Sequence, residues 1–411
     1  MAIAHMTYIH NSEYEKYKKM FKGYRYPLAF VDLDRFDENI AYVAALMGKT
    51  DKTVRIASKS IRCLDLIKRI FEKGRDAYRG VLAFTMEEAG YLIDNGMDDI
   101  IVAYPSIQPS DIDIFVDKTK QGATLSLVVD SLQHLETLSR IGEKAGIVLH
   151  ACLDIDMSYR PIGNAAHIGV RRSPVHSLEQ AVTLAKASQK LTGVRISSVM
   201  GYEAQIASVN DDYPGQSIKN AVLRFVKNRS VEELTKRRQK IVKALELAGL
   251  DLRVVNGGGS GSLVSTGKDS SVTEVTAGSA FFAPGLFRYF NEVKFKPAAF
   301  FGLQITRIPY KGIITCQGGG YVASGEVNAN KLPWPAMPKG LKYLSMEGAG
   351  EVQTPLVLPK TAPDMNLCDP VFFQHAKAGE LCERFNTLYL VQNQKIIKSI
   401  PTYRGEGKAF L

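Results

Sequence analysis

The chain is poor in cysteine, and the few it has are scattered: Cys63, Cys152, Cys316, Cys368 and Cys382 include no CxxC pair. An odd count at irregular spacing describes no disulfide framework and points to a reducing, cytosolic compartment. Long apolar runs are also lacking. No stretch approaches the ~18 apolar residues of a membrane span. The N-terminal MAIAHMTYIHNSEYEKYKK turns polar before it could form the apolar core of a signal peptide. A cytoplasmic protein with no membrane partner is expected. The glycine–serine run VVNGGGSGSLVSTG lacks the GK[ST] ending of a Walker loop. The first β-branched run, LAFVDLDRFDEN, has no glycine where an open dinucleotide-binding sheet would place its fingerprint. The formal charge of +10 comes without zinc-finger spacing or an aromatic RNA-binding signature. Its densest basic run, KRRQK in SVEELTKRRQKIVKALELAG, reads as a solvated helix face. No nucleic-acid partner is expected, whereas small anionic substrates suit the charge.

At 411 residues and 45% hydrophobic content, the chain has room for one domain of about 250 residues and a smaller one. Eight short β-branched runs, at residues 28–34, 54–59, 80–84, 99–105, 124–130, 147–156, 193–203 and 253–259, alternate with segments of 3.6-residue apolar periodicity. Most of those segments end in glycine, as a helix stop does. Eight parallel strands each followed by a helix close into a barrel. The predicted fold is therefore α/β, a (β/α)8 TIM-type barrel over residues 28–286. Beyond it, FGLQITRIPYKGIITCQGGGYVASG, VFFQHAKAG and NTLYLVQNQKIIKSIPTYRG alternate apolar and polar residues between Gly and Pro turns, the pattern of antiparallel strands. Residues 1–27 plus 287–411 are expected to form this second β domain.

The second run, VRIASKSIRC, begins apolar and ends in Lys59, which the barrel geometry places at the mouth. An ordinary solvated strand end would look the same. The run VVNGGGSGSLVSTG closes the last strand with Gly257, Gly258, Gly259, Ser260, Gly261 and Ser262. Glycines let backbone N–H groups converge on an anion, and serines add donors, at the position where barrels commonly hold a phosphate. A flexible loop shares that composition. An amine on one rim and an anion cradle on the other meet the two needs of pyridoxal 5'-phosphate, an amine for its aldehyde and donors for its phosphate.

The order of Lys59, LAFTMEEAGYLIDNGMDDIIVAYP, LDIDMSYR, MGYEAQ, NGGGSGS and TEVTAGS resembles the fold-type III pyridoxal-phosphate enzymes. It is most similar to the D-threonine aldolase and D-serine dehydratase group, with alanine racemase more distant. The resemblance implies a Schiff-base and proton-carrying role for Lys59, a small amino-acid substrate and a homodimer. It implies Arg160 near the cofactor ring, with Arg171 as the substitute and a loop pair with Asp156 as the plain alternative. Tyr202 would face the cofactor as a catalytic group, Gln205 would follow on its loop, and Gly278 and Ser279 would form a second phosphate-contacting turn. The tail departs from the pattern. The group carries a metal on a histidine followed two residues later by aspartate or cysteine, whereas here His375 is followed by Lys377. A charged lysine is no metal ligand. Three expectations stand for His375: a metal ligand with Cys382 or Glu380, a metal-free acid/base group at the substrate β-oxygen, or a packed histidine. Whether a divalent metal binds stays open, and Lys377 would be the cation standing in for one. The implied activity is lyase action on D-3-hydroxy amino acids, giving glycine and an aldehyde. Dehydration of the D-serine type or racemisation are the alternatives.

Overall fold

A computed structural model describes residues 11–326 and 328–411. Eight parallel strands close into a barrel in the order Thr53–Ala57, Tyr78–Ala83, Ile100–Val102, Leu125–Val129, Leu149–Asp154, Val194–Gly201, Val254–Gly257 and Glu274–Ala277, the last pairing with the first. Side chains alternate across these strands, as the strand period requires. On Thr53–Ala57, Val54 and Ile56 belong to the large core that packs the helices onto the barrel. Ile101, Val128, Cys152 and Met200 form a separate cluster with Leu82 and Val254. Arg55 is fully buried. It is held by Glu274 at 2.5 Å and by Asp99 at 3.0 Å, and a Cβ at Gly80 would fall 2.2 Å from its guanidinium.

The strand assignment from sequence is corrected at one place. Leu28–Asp32 does not enter the barrel; it runs antiparallel to Ala299–Tyr310 and parallel to Thr387–Gln392 in the second sheet. A run buried on both faces carries no alternation to say which sheet it joins. The eighth barrel strand is instead Glu274–Ala277, four residues inside TEVTAGS. The helix after the displaced strand, Leu33–Met47, still packs on the barrel, with Phe36 against Phe281 and Phe282 beside the closing strand.

Among the described residues the second sheet has nine strands, antiparallel apart from the pairing of Leu28–Asp32 with Thr387–Gln392. Its hairpins Ala299–Tyr310/Ile313–Gln317 and Thr387–Gln392/Lys395–Pro401 occupy the segments that alternate in sequence. Helix Asn11–Met20 covers this sheet, where Tyr14, Tyr17 and the following Phe21 pack with Phe30, Phe300 and Phe372.

KRRQK lies in the 31-residue helix Ser217–Leu247, where Lys236 and Lys240 are exposed as its composition suggests but the two arginines are not. Arg238 is buried between Glu203 and Asp269, and Arg237 donates to the carbonyls of Asp156 and Ser158. Two of its charges therefore brace the barrel loops from behind.

Candidate active site at the barrel mouth

Strand Thr53–Ala57 ends in a single 3-10 turn, Ser58–Ser60, which carries half-buried Lys59. That turn is fixed from several sides. Ser58 Oγ lies 3.1 Å from Leu82 O and 2.9 Å from Glu88 Oε2, which also accepts Phe84 N at 2.8 Å. Burial pushes the Glu88 carboxyl up to about 7. Arg62, in the left-handed region at φ 49°, donates from Nε to Lys59 O at 3.0 Å, stacks on Phe84 and pairs with Glu383.

The two glycine–serine turns meet this lysine turn directly. A Cβ at Gly278 would stand 2.7 Å from Ala57 O and 2.8 Å from Ser60 Cβ, so only glycine fits there. Ser279 Oγ and Ser60 Oγ are 3.2 Å apart. Ser260 Oγ accepts Gly278 N at 3.2 Å and Ala280 N at 3.0 Å, joining the two turns. Ser262 faces inward: its Oγ accepts Gly259 N at 3.0 Å and lies 3.4 Å from Glu203. It shapes the loop and does not face the mouth. Gly261 packs tightly, since its Cβ would stand 2.3 Å from Ala207 O. Gly258, at φ 83°, takes a conformation that side chains rarely adopt.

Tyr202 adjoins the cradle, its ring 3.1 Å from where a Gly259 Cβ would be and its hydroxyl 2.8 Å from Ser208 Oγ. The arginine that comes to this rim is Arg172, whose guanidinium lies 5.4 Å from the Tyr202 ring and 5.7 Å from the Tyr104 ring. Sequence reasoning named Arg160, with Arg171 as the substitute, and not Arg172. Arg160 instead pairs with Asp156 at 2.5 Å, and Arg171 and Arg172 are both exposed, Arg172 being the one that lies against the two rings. Burial works against the Asp156 charge, but bonds from Ser158 and Arg160 prevail and hold its carboxyl below the usual range. Asp154, at the end of its strand, is pushed up to about 7 by burial and by Asp130, with Arg172 opposing. Gln205 is turned away: its Nε2 donates to Met157 O at 2.7 Å and to Ser230 Oγ at 2.9 Å.

From the second sheet, the segment after Pro370–Gln374 lies on the lysine turn, since a Cβ at Gly379 would stand 2.6 Å from Lys59 O. His375 is buried, with Nε2 2.8 Å from Ala378 O and its ring edge-on to Phe282. Burial drives its pKa down to about 4. Cys382 sits in the short 3-10 turn Glu380–Glu383, and its Sγ donates to Ile61 O at 3.1 Å. Among the described residues, no three His, Cys, Asp or Glu side chains gather as a metal set.

The family description "Alanine racemase, N-terminal domain" matches residues 31–284, which include the lysine turn, both glycine–serine turns and Tyr202. The chain belongs to that family. It is similar to the 3-hydroxy-D-aspartate aldolase of Paracoccus denitrificans (strain Pd 1222), 24% identical over 253 residues, 62% of this chain and 59% of that protein. It is also similar to the D-threo-3-hydroxyaspartate dehydratase of Delftia sp. (strain HT23), 24% identical over 256 residues, 61% of this chain and 60% of that protein. The matched regions thus span about three fifths of these relatives' length. A crystal structure of D-threonine aldolase from Filomicrobium marinum superposes with a TM-score of 0.77 at 20% identity, covering 93% of this chain and 95% of that one. It shares the barrel and the second sheet.

Proposed function

We propose that this chain is a pyridoxal-phosphate-dependent lyase that cleaves D-3-hydroxy amino acids to glycine and an aldehyde. The observation that carries the reading is the seam between the Lys59 turn and the glycine–serine cradle: Ser60 to Ser279, then Ser260 to the amides of Gly278 and Ala280. One small molecule can touch both an amine and an anion cradle there. The residues fit pyridoxal phosphate. Lys59 would hold its aldehyde, the Gly258–Gly261 and Gly278–Ser279 turns its phosphate, and Tyr202 and Arg172 would flank it. Bound there, the cofactor supplies an electron sink for the negative charge left at the substrate Cα.

The chain's own groups divide the remaining work. Lys59 Nζ would move the proton at Cα, carried on a backbone that Arg62 clamps and Gly379 covers. Tyr202, with its hydroxyl engaged by Ser208, shapes the rim and keeps water from the face it covers. Gln205 holds the loop from behind and does not meet substrate. Arg160 supports Asp156. His375 serves packing: a side chain driven down to about 4 is a weak proton acceptor, its Nε2 donates to Ala378 O, and its Nδ1 is buried with no hydrogen-bond partner among the described residues. The names of the relatives support the substrate class. A cytosolic homodimer is part of the same reading, and all five thiols are unbridged.

The test is a panel of D- and L-3-hydroxy amino acids, with and without divalent metal, scored separately for glycine, keto acid and enantiomer. Glycine from D-substrates only is the expected result. Keto acid would move the assignment to a dehydratase, and enantiomer exchange alone to a racemase.

A further inference from the structure

The tail segment that covers Lys59 also brings charge to the mouth. Lys377, two residues before Gly379, is half-buried, with Nζ 3.2 Å from Ser324 Oγ and 3.4 Å from Ser324 O. The same carbonyl receives Lys331 Nζ at 3.0 Å. Two ammonium groups therefore converge on one oxygen. Burial, then Lys331, then Lys59 and Arg172 lower the Lys377 pKa, with Glu380 opposing them. Glu380 anchors this loop by accepting Ser324 N at 3.0 Å, and its Oε2 is buried without a hydrogen-bond partner among the described residues. One carboxylate thus faces a crowd of cations. Like charges held together in a partly desolvated site repel, and an anion seated between them relieves that repulsion.

The cofactor phosphate is not that anion on the reading above, since the glycine–serine cradle holds it. On the same reading the α-carboxylate common to all amino acids would fall to Arg172, whose guanidinium lies near the Tyr104 and Tyr202 rings. The lysine pair comes from the other sheet and forms a second cationic group. Two cationic groups suit a substrate with two carboxylates.

We propose that Lys331 and Lys377 form an anion subsite for the side-chain carboxylate of the substrate, so that this chain prefers 3-hydroxy diacids to neutral 3-hydroxy amino acids. The proposal rests on the lyase reading for its substrate, but the subsite is measurable without turnover.

The experiment compares wild type, Lys377→Met, Lys377→Arg and Lys331→Met in two readouts. The first is kcat/KM for D-3-hydroxyaspartate against D-threonine. The second is calorimetric binding of succinate, with butyrate as the single-carboxylate control. Wild type is expected to prefer the diacid. Lys377→Met should cut that preference by about tenfold to a hundredfold, as loss of a charge-assisted contact does. Lys377→Arg should restore most of it, and Lys331→Met should shift it in the same direction as Lys377→Met. Succinate binding should weaken in both methionine variants while butyrate binding is little changed. A wild-type preference for D-threonine, an equal loss on both substrates, or unchanged succinate binding would overturn the subsite. Loss of succinate binding without cleavage of any substrate in wild type would leave the subsite standing and sink the lyase reading.

Discussion

Glu88 occupies the third position of helix Met86–Asp94, where a Thr-x-x-Glu sequence ordinarily returns its carboxylate to the N-cap amide. Thr85 does cap that helix, accepting Glu88 N at 3.1 Å, but the Glu88 carboxylate reaches Phe84 N and Ser58 Oγ instead. It thereby supports the turn that presents Lys59. Because burial raises its carboxyl from the ordinary 4.5 to about 7, the folded state favours the protonated form. Stability from this group is fully present below its unfolded pKa and is lost as pH rises through about 7, an effect of about 3 kcal/mol at most. Glu88→Gln should therefore flatten the pH dependence. Urea midpoints of wild type should fall relative to those of Glu88→Gln between about pH 4.5 and about pH 7. Asp154 titrates in the same window in both proteins and cancels in the difference. Parallel profiles would show that Glu88 keeps an ordinary pKa. Lys59 was legible in sequence because an amine at a strand tip next to two serines has a place in a barrel. Arg172 was not, because the segment after Asp154 folds back on itself, with Tyr159 bridged to Ile168. Distance along such a loop does not tell which of Arg160, Arg171 or Arg172 turns to the rim.

Among the elements, the barrel is closed by its shortest evidence in sequence. Glu274–Ala277 looks like a turn motif, yet Glu274 carries the ion pair with Arg55 that ties the last strand to the first. Replacing Arg55 with methionine leaves a buried carboxylate without its partner and should destabilise the fold by about 3–5 kcal/mol, while the double replacement with Glu274→Met should recover much of that loss. Chemical denaturation of the three variants checks this, and strict additivity would contradict it. Gly278 makes the complementary point for function. Its absent Cβ would strike Ala57 O and Ser60 Cβ, both in or beside the Lys59 turn, so Gly278→Ala must push that turn from the cradle. Affinity for pyridoxal phosphate should drop by about fivefold to about a hundredfold in this variant, an overpacking effect of order 1–3 kcal/mol. Gly285→Ala, whose Cβ would meet its nearest neighbour at an ordinary 3.5 Å, should leave affinity nearly unchanged. Seven barrel strands could be read from β-branched runs between helical periods. LAFVD reads as a barrel strand but belongs to the second sheet, since full burial removes the alternation that separates one sheet from another.

Across the whole molecule, the second sheet acts on the barrel through residues distant in sequence. Arg62 pairs with Glu383, Gly379 packs on Lys59 O, and Cys63 Sγ donates to Pro401 O at 3.2 Å. These contacts were invisible in the sequence, which showed a β tail but not where it lands. The formal charge of +10 should draw anionic substrates toward the mouth. Raising ionic strength from about 0.01 M to about 1 M shortens the Debye length from about 30 Å to about 3 Å. A several-fold fall in kcat/KM with a smaller change in kcat is expected for an anionic substrate, and salt-independent kcat/KM would deny electrostatic attraction.

The central claim is that Lys59 and the serine–glycine turns hold one molecule of pyridoxal phosphate, and borohydride treatment of the protein incubated with that cofactor tests it most directly. The account predicts a yellow protein that is bleached by the reductant, with the cofactor mass fixed on the peptide containing Lys59 and absent from Lys59→Ala. A protein that stays colourless, or a label fixed on another lysine, would contradict it.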